Sequence, residues 1–105
     1  MAEKIKKTIP TSQQILAVLS DNDELLRNRS VRRIGLFGSF ARNQGRAGSD
    51  LDFLVEFEQP TFDNYMNLVF SLEKLFGRHV DLVTSDGLSI HVRPYIEKEV
   101  LWHEA

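Results

Sequence analysis

The chain contains no cysteine, which excludes disulfides and thiolate metal sites and suits a reducing compartment. No apolar run approaches the roughly 20 residues needed to span a bilayer. Met1–Pro10 lacks the apolar centre of a signal peptide, so a cytoplasmic protein is expected, without a membrane partner. A strong charge of one sign is missing too. The formal net charge is −2, and no basic field advertises direct nucleic-acid binding. Basic residues collect only locally, at Lys4, Lys6 and Lys7 and at Arg27, Arg29, Arg32 and Arg33, as they do on solvated termini and helix ends. Two familiar phosphate loops, Gly-x-Gly-x-x-Gly and Gly-Lys-Ser/Thr, are absent, and so is the nucleophile elbow of a hydrolase. His79, His91 and His103 do not stand at metal-ligand spacing, which leaves them surface or packing roles. At 105 residues the chain reads as a single domain, 1–105, with one core and no room for a separate substrate domain.

What is present is an alternation of short elements. Thr11 and Gln14 form a capping box for a helix that buries Ile15, Leu16, Val18 and Leu19. A second short helix carries Leu25 and Leu26 towards Arg29, and Val31–Phe37 reads as a strand closed by Gly38. Phe40–Asn43 is expected to be a helical turn and Gln44–Ser49 a loop. Leu51–Phe57 is the clearest strand, with Leu51, Phe53, Val55 and Phe57 on one face and Asp50, Asp52 and Glu56 on the other. After Pro60, the spacing of Phe62, Tyr65, Met66, Val69, Leu72 and Phe76 predicts a core-facing helix that stops at Gly77. His79–Thr84 forms a third strand, with Val80 and Leu82 pointing one way and Asp81 the other. A last helix starts near Pro94 and turns Ile96 and Val100 inward. Trp102 either closes the core or stands exposed as an anchor.

The chemistry is carried by acids on strands. Residues i and i+2 point the same way with Cα atoms roughly 6.6 Å apart, so Asp50 and Asp52 can converge on divalent ions about 3.5 to 4 Å apart. Hard oxygen ligands suit magnesium or manganese. Asp81 can face the same space from a neighbouring strand. Taken alone, Asp50 is also what a turn entering a strand looks like, whereas Asp52, inside the best strand, has to be paired or to hold a metal. Gly38-Ser39, ten residues before Asp50, supplies the other half. A glycine at a strand exit lets the backbone approach a phosphate, the serine hydroxyl can donate to it, and a following helix N-terminus would favour its charge.

Gly38-Ser39, Asp50-x-Asp52 and the later Asp81 together resemble the signature of the DNA polymerase beta superfamily of nucleotidyltransferases. Within it, the runs Ile34–Arg42 and Ser49–Phe57 resemble the minimal nucleotidyltransferases, the antitoxin halves of HEPN and minimal-nucleotidyltransferase toxin–antitoxin pairs. The resemblance implies an α+β fold, a small mixed β-sheet with helices on one face and the acids on the other. It implies that Asp50 and Asp52 hold two Mg2+ ions, that Asp81 is the third acid, at the metal site and near the attacking hydroxyl, and that Gly38 and Ser39 cradle the phosphates of ATP. Arg42 stands where the family carries a phosphate-neutralising arginine, although a surface arginine on a turn reads equally well. The family's usual glycine after that arginine is Asn43 here. The activity implied is transfer of AMP from ATP to a hydroxyl, a tyrosine on a cognate HEPN ribonuclease toxin, giving a hetero-oligomer with the toxin. The alternative is a non-catalytic antitoxin that binds and occludes the toxin. Transfer to RNA or a small molecule is disfavoured by the absence of a further helical domain.

Overall fold

A computed structural model describes residues 9–105; the Lys4–Lys7 cluster lies outside the described residues. The elements run α1 (Ser12–Asp21), α2 (Asp23–Asn28), β1 (Val31–Phe37), β2 (Leu51–Phe57), α3 (Phe62–Phe76), β3 (Val80–Thr84), α4 (Arg93–Glu99) and β4 (Leu101–Glu104). The four strands form one mixed sheet in the order β3-β2-β1-β4. β1 is antiparallel to both β2 and β4, whereas β2 and β3 are parallel and joined through α3.

Leu51, Phe53, Val55 and Phe57 of β2 join Ile34 and Leu36 of β1 and Val80 and Leu82 of β3 in a core closed by Ile15, Leu19, Leu26, Leu68 and Leu72 from the first three helices. The expected capping box is formed: the Thr11 hydroxyl accepts from the Gln14 amide, and the Gln14 side chain accepts from the Thr11 amide. Gly77 ends α3 at φ 64°, in the left-handed region.

Three expectations need correction. Phe62, expected in the core, is 76% exposed, and Leu68 takes the buried position instead. The 15-residue helix is about 22 Å long and outruns the five-residue strand beside it, about 17 Å, so its first turn has no sheet to cover. The helical turn after Ser39 is a run of tight turns, with the Ala41, Arg42 and Asn43 amides donating to the carbonyls three residues earlier, and no α-helix begins there. The helix-dipole part of the phosphate argument therefore falls away. Val100 leaves α4 as its extended cap, and Leu101–Glu104 adds an edge strand too short for its pattern to reveal.

That C-terminal segment also explains an exception to in-and-out alternation. Leu54 shares the acid face of β2 yet is buried. Its register partner Gly35 lies directly beneath Val100 and Trp102, where any Cβ would collide with Val100. Trp102, half-buried on the same face, carries the Arg33 guanidinium 3.7 Å from its ring centroid. α1–α3 thus pack on one face, while α4 and β4 lead the chain round to the other.

The helix correction is open to a paired measurement. Leu68→Ala should cost about 2 to 5 kcal/mol in urea denaturation, whereas Phe62→Ala should stay within about 0.5 kcal/mol of the parent. A large loss from Phe62→Ala would mean that α3 is rotated from the orientation described.

Candidate active site

The acids gather where β1 leaves the sheet and β2 and β3 enter it. Asp52 is the register partner of Phe37 on one side and of Asp81 on the other, which puts the two carboxylates on one face of neighbouring strands. Directly after Phe37, Gly38 turns at φ 77°. A Cβ at Gly38 would collide with Asp52 Oδ2, so the position requires glycine for conformation and for space. Asp50 stands one residue before β2, and its carboxylate lies 3.4 Å from His79 Nδ1. His79, read from the sequence as surface or packing, is therefore exposed but beside an acid of the site.

The loop between Gly38 and Asp50 is held by two clasps. Arg78 Nη1 donates to the carbonyls of Arg46, Ala47 and Ser49 at 3.2 to 3.3 Å, and its guanidinium lies 5.0 Å over the ring of buried Phe40. Asn43 adopts φ 57°, so it supplies the left-handed turn that glycine supplies elsewhere. Its side-chain oxygen accepts from the Ser12 amide at 2.8 Å, tying the turn to α1. Neither clasp has a sequence motif; only the folded chain brings Arg78 to the loop.

Glu99 is the acid the sequence reading missed. From the last position of α4 its Oε2 accepts from the Gly38 amide at 2.7 Å, and its Oε1 accepts from Arg42 Nη1 at 2.7 Å. Arg42 Nε donates to Gln44 Oε1. Gly38 and Arg42 thus come together, through a carboxylate 61 and 57 residues away respectively.

Burial and then the negative charges of Asp81, Asp50 and Glu99 push the Asp52 carboxyl up to about 6, with Arg42 opposing. Among the described residues no group of three His, Cys, Asp or Glu side chains is drawn together closely enough to grip a metal ion. The donor set nevertheless fits a hard divalent cation: every ligand is a carboxylate oxygen, and the most buried one is destabilised by charge that a cation would cancel. A cavity of about 310 Å³ opens elsewhere, near the other ends of β2 and β3, lined by Glu56, Thr84, Ser85 and Arg93. It shares no residue with the acids, and chemistry on the carboxylates weighs more than concavity.

Comparison with known proteins gives a consistent picture. The sequence profile described as nucleotidyltransferase domain matches residues 17–103. The protein adenylyltransferase MntA of Thermococcus cleftensis is 36% identical over 94 residues, covering 88% of this chain and 95% of that protein. A Methanocaldococcus jannaschii protein provisionally named a protein adenylyltransferase is 38% identical over 94 residues, covering 86% of this chain and 91% of its own. A solved structure provisionally described as a minimal nucleotidyltransferase superimposes with a TM-score of 0.77 at 32% identity, covering 90% of this chain and 97% of that one. A chain from the complex of tri-AMPylated Shewanella oneidensis HEPN toxin with MNT antitoxin shares the fold, with a TM-score of 0.60 at 20% identity, over 84% of this chain and 70% of that one.

The charge crowding at Asp52 has a measurable consequence. Its pKa is higher folded than its ordinary value of 3.8, so between that value and about 6 the folded state binds more protons and stability falls as pH rises. Without divalent cations, Asp52→Asn should therefore be more stable than the parent at pH 7.5, on the order of 1 kcal/mol after solvent screening. The difference should vanish below pH 4. Thermal melts across pH check this; equal melting temperatures at pH 7.5 would remove the crowding argument.

Proposed function

The chain belongs to the nucleotidyltransferase domain family, and from that premise we propose that it is a divalent-cation-dependent protein adenylyltransferase that transfers AMP from ATP to a hydroxyl of a HEPN-domain toxin and so neutralises it. The observation that carries the reading is the contact between the Gly38 turn and Asp52, opposite Asp81: backbone and guanidinium donors stand immediately beside crowded carboxylates. Relatives named protein adenylyltransferase at 36% identity across nearly their whole length support the reaction class. Neighbours of the same fold in complex with a HEPN toxin, and with AMP-PNP, support the partner and the nucleotide.

In this reading Asp50, Asp52 and Asp81 would hold Mg2+, which supplies charge neutralisation at the triphosphate. Gly38 offers its backbone amide to a phosphate oxygen, Ser39 its hydroxyl, and Arg42 a permanent positive charge. Asp81 is exposed at the rim of the sheet, where a hydroxyl from a second protein can reach it. The acceptor oxygen forms a bond to the α-phosphorus, the bond from that phosphorus to the bridging oxygen breaks, and pyrophosphate leaves. Asp81 assists removal of the hydroxyl proton. A tyrosine is the acceptor that the family resemblance implies.

Incubation with ATP, Mg2+ and the HEPN partner, followed by intact-mass measurement of that partner, tests the proposal. The parent should add whole AMP units, and Asp52→Asn should add them at least ~100-fold more slowly, about 2.7 kcal/mol of transition-state stabilisation. A folded Asp52→Asn protein with normal turnover would falsify the catalytic assignment.

A further inference from the structure

Glu99 occupies a place the proposed reaction needs for something else. Its two carboxylate oxygens each take one strong donor, the Gly38 amide and Arg42 Nη1, both at 2.7 Å, as two oxygens of a phosphate would. We propose that Glu99 is the resident occupant of the triphosphate cradle, holding its donors in the nucleotide-free protein and leaving when nucleotide phosphates take its place. This rests on the reading of Gly38 and Arg42 as phosphate donors.

Several features make Glu99 a displaceable ligand rather than a fixed strut. It is an anion at the C-terminal end of a helix, where the unpaired carbonyls disfavour negative charge. It faces Asp52 across the same glycine, so its charge adds to repulsion already present. The segment around it is anchored independently: Arg93 donates to the Ser85 carbonyl at 3.1 Å, Val100 packs against Gly35, and β4 pairs with β1. Release of the carboxylate therefore leaves α4 and β4 attached. Its side chain keeps 27% of its surface in contact with solvent, which gives it a way out.

Satisfying the cradle in advance costs affinity. A site closed in about five molecules of six lowers the apparent affinity about six-fold, because the nucleotide binds only the open fraction. A strut and a displaceable occupant predict opposite signs. Removal of a strut loosens the donors and weakens binding, whereas removal of an occupant frees them and strengthens it.

Calorimetric titration of AMP-PNP with Mg2+ into the parent, Glu99→Gln and Glu99→Ala, with thermal melts of the free proteins, separates the two. Glu99→Ala should melt at a lower temperature yet bind about six-fold more tightly, and Glu99→Gln, which keeps the shape without the charge, should also bind more tightly. The Gly38 amide resonance of the free protein should shift between parent and Glu99→Ala, and that of the parent should shift on nucleotide addition. Equal or weaker binding by both folded variants overturns the displacement while leaving the cradle in place. Absence of binding by the parent and both variants overturns the cradle itself, and the displacement with it.

Discussion

The site depends on one close approach, that of the Gly38 backbone to the carboxylate of Asp52. β1 has to leave the sheet beside the strand that carries the acid, and only a residue without Cβ can turn at φ 77° in that space. From this contact follow the partial burial of Asp52 and the delivery of a backbone donor to the edge where the acids crowd. A side chain at Gly38 would force β1 and β2 apart at the register pair Phe37 and Asp52 and displace donor and acid together.

The rest of the domain makes that approach rigid. One face of the sheet is committed to the core with α1–α3, so strand positions cannot slip without moving Phe53 or Leu82 out of it. The other face would be a soft, polar surface were it not partly sealed by Val100 and Trp102 over Gly35 and Leu54. Both faces of one sheet contribute to holding the site. Carboxylates on strands with packed neighbours are held more closely than carboxylates on loops. Asp50, the one aspartate of the three outside the strands, follows a loop that Arg78 grips.

Much of this was legible in the sequence because it rests on local pattern. Period-two alternation located β1, β2 and β3, and the Thr11 and Gly77 caps bounded their helices. The glycine and serine after one strand, with Asp-x-Asp opening the next, mark the candidate site in the sequence. What stayed hidden was set by contacts distant along the chain. Glu99 reads as one more charge on a short polar helix, and nothing in its neighbours says that it reaches back to Gly38. Arg78 reads as a surface arginine. Leu101–Glu104 has too few residues for a period, and its pairing with β1 exists only because β1 has a free edge there. Phe62 misled because helical spacing says which stripe faces inward, not how far the sheet beneath extends.

Charge at the site sets a condition on how it can work. Asp50, Asp52, Asp81 and Glu99 act in one place, with Arg42 as the opposing charge felt by Asp52. A nucleoside triphosphate brings several more negative charges to the same edge, and one guanidinium with a few backbone dipoles cannot balance them. Expulsion of Glu99, as proposed, would remove one negative charge and leave the three aspartates. On the proposed reading, nucleotide and divalent cations would bind as a coupled set in which each raises the affinity for the other by the same factor. A cation would offset the negative charges that, after burial, push the Asp52 carboxyl up, and phosphate oxygens would add ligands to those of the dispersed carboxylates. On this physical ground an open platform of three acids can be selective: an anion without the metal is repelled, and a metal without the anion lacks ligands.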